Sequence, residues 1–245
     1  MDATEWRNLA DAYGFLGNSL LRPMSQTANV GLDPEFWGAF PDFGSEAVAG
    51  AVDALGLWAA SQGAGREKGV TDVSVEYTAL FVGPPSPAAP PWETMNRREG
   101  VTVGFGEPTF QMREVLRSLG LEVAGPSNQY EDHLGLELLC LSEMCRRRAW
   151  ALDMTQTARE VEVREAAQGE KDSADAVTSV LSDDEVAAFI DAHPLGWIEA
   201  LEAKVQAARP DGYFAHLLVL AHALLAYHRE GAGYGHVRPL RMELG

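Results

Sequence analysis

The stretch LFVGPPSPAAPPWETM, Leu80–Met95, sets prolines at 84, 85, 87, 90 and 91 into a chain whose other segments carry helical periodicity. Proline fixes φ and offers no N–H, so this stretch can be neither helix nor central strand, and it stays stiff without partners. On its N-terminal side Val73, Tyr77, Leu80 and Phe81 form one apolar stripe, which has to stop at Gly83-Pro84 because proline and the residue before it end helices. On its C-terminal side stand Trp92 and Glu93. A rigid, aromatic-flanked loop between helices is a place where function tends to sit.

Working outward, Trp6, Leu9, Ala10, Tyr13, Leu16, Gly17 and Leu20 share a helical face, as do Val48, Ala51, Val52, Leu55 and Trp58, with Gly63 as a natural stop. In GEPTFQMREVLRSLG, residues 106–120, Pro108 sits where a missing N–H costs nothing, and Gly120 lies just past the end. Asn128 and Glu131 have capping-box spacing and predict a helix through residue 150, with Asp132 in its first turn and Arg146, Arg147 and Arg148 near its end. Helices are also expected at 183–193, 194–208 and 211–230. Neither alternating strand patterns nor repeats occur. The expectation is an all-α, single-domain helical bundle over residues 1–245, interrupted by a polar insertion or linker at about 155–182 that contains QGEKDSADA.

With 36 acids against 19 bases the net charge is −17, which disfavours nucleic acid and anionic membranes and favours basic peptide segments. The run Tyr213–Tyr227 falls short of the ~20 apolar residues of a membrane span and carries His216 and His222, so it reads as a core helix. Cys140 and Cys145 imply buried thiols in a reducing compartment and not a disulfide framework. The opening MDATEWRNLADAYGF has no basic region followed by an apolar one, and the expected location is the cytoplasm.

For chemistry, Asp132, His133 and Glu137 could share one side of a helical turn and serve acid–base catalysis or a metal. Acids near a helix start are equally explained by the helix dipole, and spacing alone assembles no set of three or four metal ligands. His216, His222 and His228 step by six and so turn away from one another. Phosphate-binding loops, dinucleotide fingerprints, nucleophile elbows and CxxC motifs are absent, so neither a metal nor a cofactor is expected. Arg97-Arg98 and Arg146–Arg148 read as surface charge paired with the surplus acids.

Three motifs in order, EYTALFVGP running into PPWE, then EDHLGLEL, then FIDAHPLGWI, give the chain from about Val73 to Tyr227 a resemblance to the TorD/DmsD family of chaperones for exported molybdenum enzymes. The resemblance implies a helical fold without a catalytic centre. It further implies binding of the client's twin-arginine signal peptide and assistance to cofactor insertion in the client's apo catalytic subunit before export. Family members can exchange helices between protomers, which leaves room for a homodimer. The family's peptide-binding and loop positions map onto Tyr77, Phe81, Gly83, Pro84, Pro91 and Trp92, and its Asp-His pair onto Asp132 and His133. Two departures stand out: Gln129-Tyr130 replaces the usual Glu-Pro, and Asn96 stands where an aromatic residue is common.

A twin-arginine leader offers two guanidinium groups and an apolar segment, so its receptor needs carboxylates beside an apolar groove. Glu131 and Asp132 would attract the arginines, while Trp92, Phe81, Tyr77 and Trp58 would line a groove walled by Pro90, Pro91, Trp92 and Glu93. Plain core packing explains Tyr77 and Phe81 equally well. Two other classes stay open: a metal-dependent or acid–base enzyme using Asp132 and His133, and an assembly factor without signal-peptide recognition.

Overall fold

The computed structural model describes residues 1–62, 66–123, 129–168 and 181–233, and among these it is all-α, without a strand. Helix α1 (Ala3–Leu21) opens on a capping box, in which Asp2 accepts from the Thr4 and Glu5 amides and Glu5 accepts from the Asp2 amide. The apolar stripe read from the sequence is its buried face. Helix α2 (Pro34–Gly38) is short and brings Trp37 into the core, and α3 (Glu46–Ser61) buries Val48, Ala51, Val52 and Leu55. The expected stop at Gly63 lies outside the described residues.

Helix α4 (Arg66–Tyr77) widens into a π turn at Thr78–Val82, where the Gly83 amide reaches back to the Thr78 carbonyl at 2.8 Å. Gly83 has φ of 91°, and a Cβ there would fall 2.8 Å from the Ser86 backbone, so this corner requires glycine. The proline loop then folds back on the helix end, with Ala88 and Ala89 amides donating to Ala79 and Leu80 carbonyls at 3.2 and 2.8 Å. Its Pro84-Pro85 bond is cis. Helices α5 (Glu93–Asn96) and α6 (Glu107–Ser118) come next, α6 carrying Pro108 in its first turn and ending before Gly120, as its sequence requires.

Helix α7 (Leu134–Gln168) corrects the sequence reading at both ends. It begins at Leu134, so Glu131, Asp132 and His133 precede the helix, and Asn128 of the expected capping box lies outside the described residues. At the other end it continues through 155–168, where Ala, Arg, Glu and Gln supply strong helix propensity, so the first half of the expected linker is helical. The remainder, 169–180, is outside the described residues. Helices α8 (Asp183–Ala192), α9 (Ile198–Ala208) and α10 (Tyr213–Gly233) complete the chain, with a 3₁₀ turn at Pro194–Gly196.

The bundle is organised by α1 lying along α7, its most extensive helix pairing. Two glycines set their approach: a Cβ on Gly17 would meet the Gly135 carbonyl oxygen at 2.7 Å, and one on Gly135 would meet the Gly17 oxygen at 2.8 Å. Helix α10 packs against α3, α8 and α9 and buries Phe214, Leu217, Leu218, Leu224 and Leu225. None of the described helices is long and apolar enough to cross a membrane. Both cysteines are buried free thiols, raised by burial, Cys140 to about 12.

Candidate functional site

The three sequence motifs meet in space. Trp92 and His133 form an isolated antiparallel bridge, in which the Glu93 amide donates to the Asp132 carbonyl at 2.8 Å and the Leu134 amide donates to the Pro91 carbonyl at 2.9 Å. This bridge explains why α7 starts late: the Asp132 carbonyl and the Leu134 amide are committed to the PPWE segment, and the first carbonyl to accept a helical bond is that of His133. Asp132 is fully buried. One carboxylate oxygen accepts from the Thr94 amide at 2.9 Å and the Thr94 hydroxyl at 2.6 Å, and the other from the Thr109 hydroxyl at 3.0 Å. It therefore ties α5, α6 and the approach to α7 together. Burial raises its pKa, and the threonine hydrogen bonds work against that rise. His133 is 1% exposed and held neutral, with burial depressing its pKa to about 3. Its Nδ1 accepts from the Gly135 amide at 3.0 Å, which puts the proton on Nε2, and its ring meets Trp92 edge to face at 5.9 Å.

Beneath the bridge lies a second buried network that draws on all three motifs. Glu93, fully buried at the start of α5, accepts from Arg97 one turn later and from His193 Nδ1 at 3.0 Å. Arg97 also donates to the Ala192 carbonyl, closing α5 onto the end of α8. Glu137, on the first turn of α7, accepts from Trp197 Nε1 at 3.0 Å and turns its other oxygen, Oε1, toward no conventional donor. Two carboxyls this close in a dry interior cannot both ionise. Burial, then the Glu93 charge, drives Glu137 well above the carboxylate range. Burial would raise Glu93 too, but the His193 hydrogen bond and the positive charges of His193 and Arg97 outweigh it and bring Glu93 below its ordinary value. Of the two carboxyls, Glu137 is thus the one that favours its proton.

Glu93, Glu137 and His193 are, among the described residues, the group whose ligand atoms come near enough to hold a metal, within 4.8 Å of one another. Arg97 and His193 already answer Glu93, and Trp197 answers one oxygen of Glu137, so these atoms are engaged with one another in an internal hydrogen-bond network. The constellation expected from sequence, Asp132 with His133 and Glu137, does not converge: Asp132 is spent on threonines, His133 on Gly135, and Glu137 faces Glu93.

Tyr77 and Phe81 are 5% and 3% exposed and pack on Phe214 at centroid distances of 5.8 and 5.0 Å, so they are core residues with no face for a ligand. Trp58 lies against Tyr213 and donates to the Asp211 carbonyl at 3.2 Å. Gly83 and Pro91 are buried, Pro90 and Trp92 half-buried, and Pro84 exposed. Of the expected carboxylates, only Glu131 is partly open, its side chain 19% exposed and bonded to Arg113 Nε at 2.6 Å. Asn96, at the place of the usual aromatic, donates to the Pro90 and Trp92 carbonyls and accepts from Lys204 Nζ at 2.7 Å, pinning the end of the proline loop to α9.

Sequence reasoning missed an exposed aromatic cluster next to this site. Phe105, Phe110 and Tyr130 are 38%, 49% and 40% exposed, and Phe105 touches both of the others at 5.1 and 5.3 Å. Gly104 brings the cluster onto the Trp92 ring, where a Cβ would lie 3.5 Å from both Trp92 and Tyr130. The signal was present: Thr109, Met112 and Leu116 make the buried face of α6, which leaves Phe110 on the wet side without a packing reason.

Among curated proteins no match is found. Comparison with protein-family models matches residues 44–203 to the family described as nitrate reductase delta subunit. The match takes in PPWE, EDHLGLEL and FIDAHPLGWI, the same segments that close around Glu93, and agrees with the TorD/DmsD resemblance. Through that match, which runs from α3 into α9, the chain belongs to the nitrate reductase delta subunit family.

Proposed function

We propose that the protein is a maturation chaperone for the catalytic subunit of a molybdenum-containing oxidoreductase of the nitrate reductase kind, and that it binds the basic, apolar leader of that subunit in the cytoplasm before export. The observation that carries this reading is the exposed Phe105, Phe110 and Tyr130 cluster, set between half-buried Trp92 and the carboxylate of Glu131 on a strongly acidic protein. Exposed aromatics grouped beside a carboxylate suit a peptide that presents guanidinium groups ahead of an apolar segment. Asp132 and His133 serve this surface from below, as its scaffold, because both are closed to solvent, Asp132 is held by the Thr94 and Thr109 donors, and the His133 ring is fixed by the Gly135 amide on Nδ1. The same closure weighs against an acid–base enzyme built on them.

A synthetic peptide of two adjacent arginines followed by an apolar, helix-forming segment tests the proposal by calorimetry. Replacing both arginines with glutamine is expected to weaken binding more than an equal change in the apolar segment; unchanged affinity would move recognition to the apolar part. Trp92→Ala is expected to reduce binding by more than ~1 kcal/mol, the scale of an aromatic anchor, while the helical circular dichroism signal persists. Loss of the fold on that substitution, or unchanged binding, would leave Trp92 as packing.

A further inference from the structure

Arg113 rises from α6 beside Glu131, its guanidinium carbon 5.5 Å from the centre of the Phe105 ring and 5.8 Å from that of Phe110, while Nε donates to Glu131 at 2.6 Å. A carboxylate flanked by two aromatic faces is the chemistry that selects a planar guanidinium over an ammonium, since it supplies both a hydrogen-bonded counter-charge and stacking surface. The components stand partly in water, with the Arg113 side chain 39% exposed, so the pair is one that solvent or a competitor can reach. On one side of the pair a groove leads away, lined by Leu116, Leu121 and Val123 together with the charged Arg117 and Glu122.

We propose that Glu131, Phe105 and Phe110 form a guanidinium-binding subsite that the chain's own Arg113 fills in the free protein, and that an arginine of a partner peptide displaces Arg113 from it. This rests on the chaperone role proposed for the protein and deepens it by naming the residues that receive one arginine and the residue that competes for them. The occupant is an arginine of a peptide: the subsite takes the guanidinium, and the neighbouring residue lies along the groove, where Leu116, Leu121 and Val123 offer apolar contact beside Arg117 and Glu122. Displacement costs little, because an ion pair as exposed as this one contributes weakly, and that weakness is what lets an external arginine exchange with it.

The test compares Arg113→Ala, and Arg113→Gln as a second variant, with the unaltered protein, using the two-arginine peptide and its two-glutamine counterpart. Removing the internal competitor is expected to tighten binding of the two-arginine peptide about two- to fivefold, the range set by one exposed ion pair, and to leave the two-glutamine peptide unchanged. Adding Glu131→Gln should abolish the gain, since the cycle then lacks the group for which the two arginines compete. Equal effects on both peptides, or weaker binding of the two-arginine peptide, would overturn the subsite while the chaperone reading stands. If the two-arginine peptide binds neither the unaltered protein nor the variants, both the reading and the subsite fall.

Discussion

Glu93→Gln is expected to destabilise the protein by about 1–3 kcal/mol, the cost of leaving a partner of a fully buried carboxylate unsatisfied. Glu93 is fully buried and answers both Arg97 and His193, so an amide in its place presents an N–H₂ to at least one of two donors and leaves positive charge unpaired. Urea denaturation measures this as a lower midpoint with an unchanged slope. Glu137→Gln behaves differently, because Glu137 is the carboxyl that favours its proton: the amide oxygen keeps the Trp197 bond and the amide nitrogen donates toward Glu93. A carboxyl whose folded pKa is raised holds its proton in the folded state after the unfolded chain has released it. Stability is therefore lost as pH rises from its ordinary 4.5 toward the raised value. Glu137→Gln removes that loss, so the variant should gain on the unaltered protein as pH rises from 4.5 in the same denaturation assay, and a parallel pH dependence of the two would contradict a raised Glu137 pKa.

Gly17→Val costs near the upper end of the ~1–3 kcal/mol typical of overpacking. The first added carbon would already lie 2.7 Å from the Gly135 carbonyl oxygen and 2.9 Å from Leu139, and the oxygen is backbone, which can yield only if α1 moves off α7. Gly50→Ala is the control of opposite sign. Gly50 is an exposed glycine inside α3 with open space where its Cβ would stand, so the substitution should stabilise by about 0.5–1 kcal/mol through helix propensity. Thermal or urea melts of the two variants settle both signs at once.

Helices were legible where the signal is local. The stripe from Trp6 to Leu20, the Pro108 start with its Gly120 end, and the core helix after Tyr213 all derive from periodicity and caps, and each appears in place. The site was legible only as three motif segments. Asn128 and Glu131 have capping spacing, yet the backbone of Asp132 and Leu134 pairs with Glu93 and Pro91 instead, a long-range choice that no window around Asn128 contains. Asp132 reads as an open carboxylate because Thr94 and Thr109, which close it, lie 38 and 23 positions away. The partners of Glu93 divide in the same way: Arg97 stands at helical spacing, whereas His193 is 100 positions distant. Exposure of Phe110 was readable from its position off the α6 stripe, and Arg113 stands three residues on along the same helix, while the link to Tyr130 depends on how the 102–106 turn brings Phe105 against both rings.

The distance along the chain between Glu93 and its partners has a consequence for biosynthesis. Contacts of such separation must first overcome the entropy of closing a long loop, and chains fold from the N-terminus as they emerge. Until the FIDAHPLGWI segment has left the ribosome, Glu93 lacks His193 and Glu137 lacks Trp197, so two carboxyls assigned to the interior have no interior to enter. The nascent chain up to α7 can pair α1 with α7, but the PPWE loop and the aromatic surface that Gly104 rests on Trp92 gain their full support only when α8 and α9 arrive. On the proposed reading, a surface for a partner peptide would therefore be completed only near the end of synthesis.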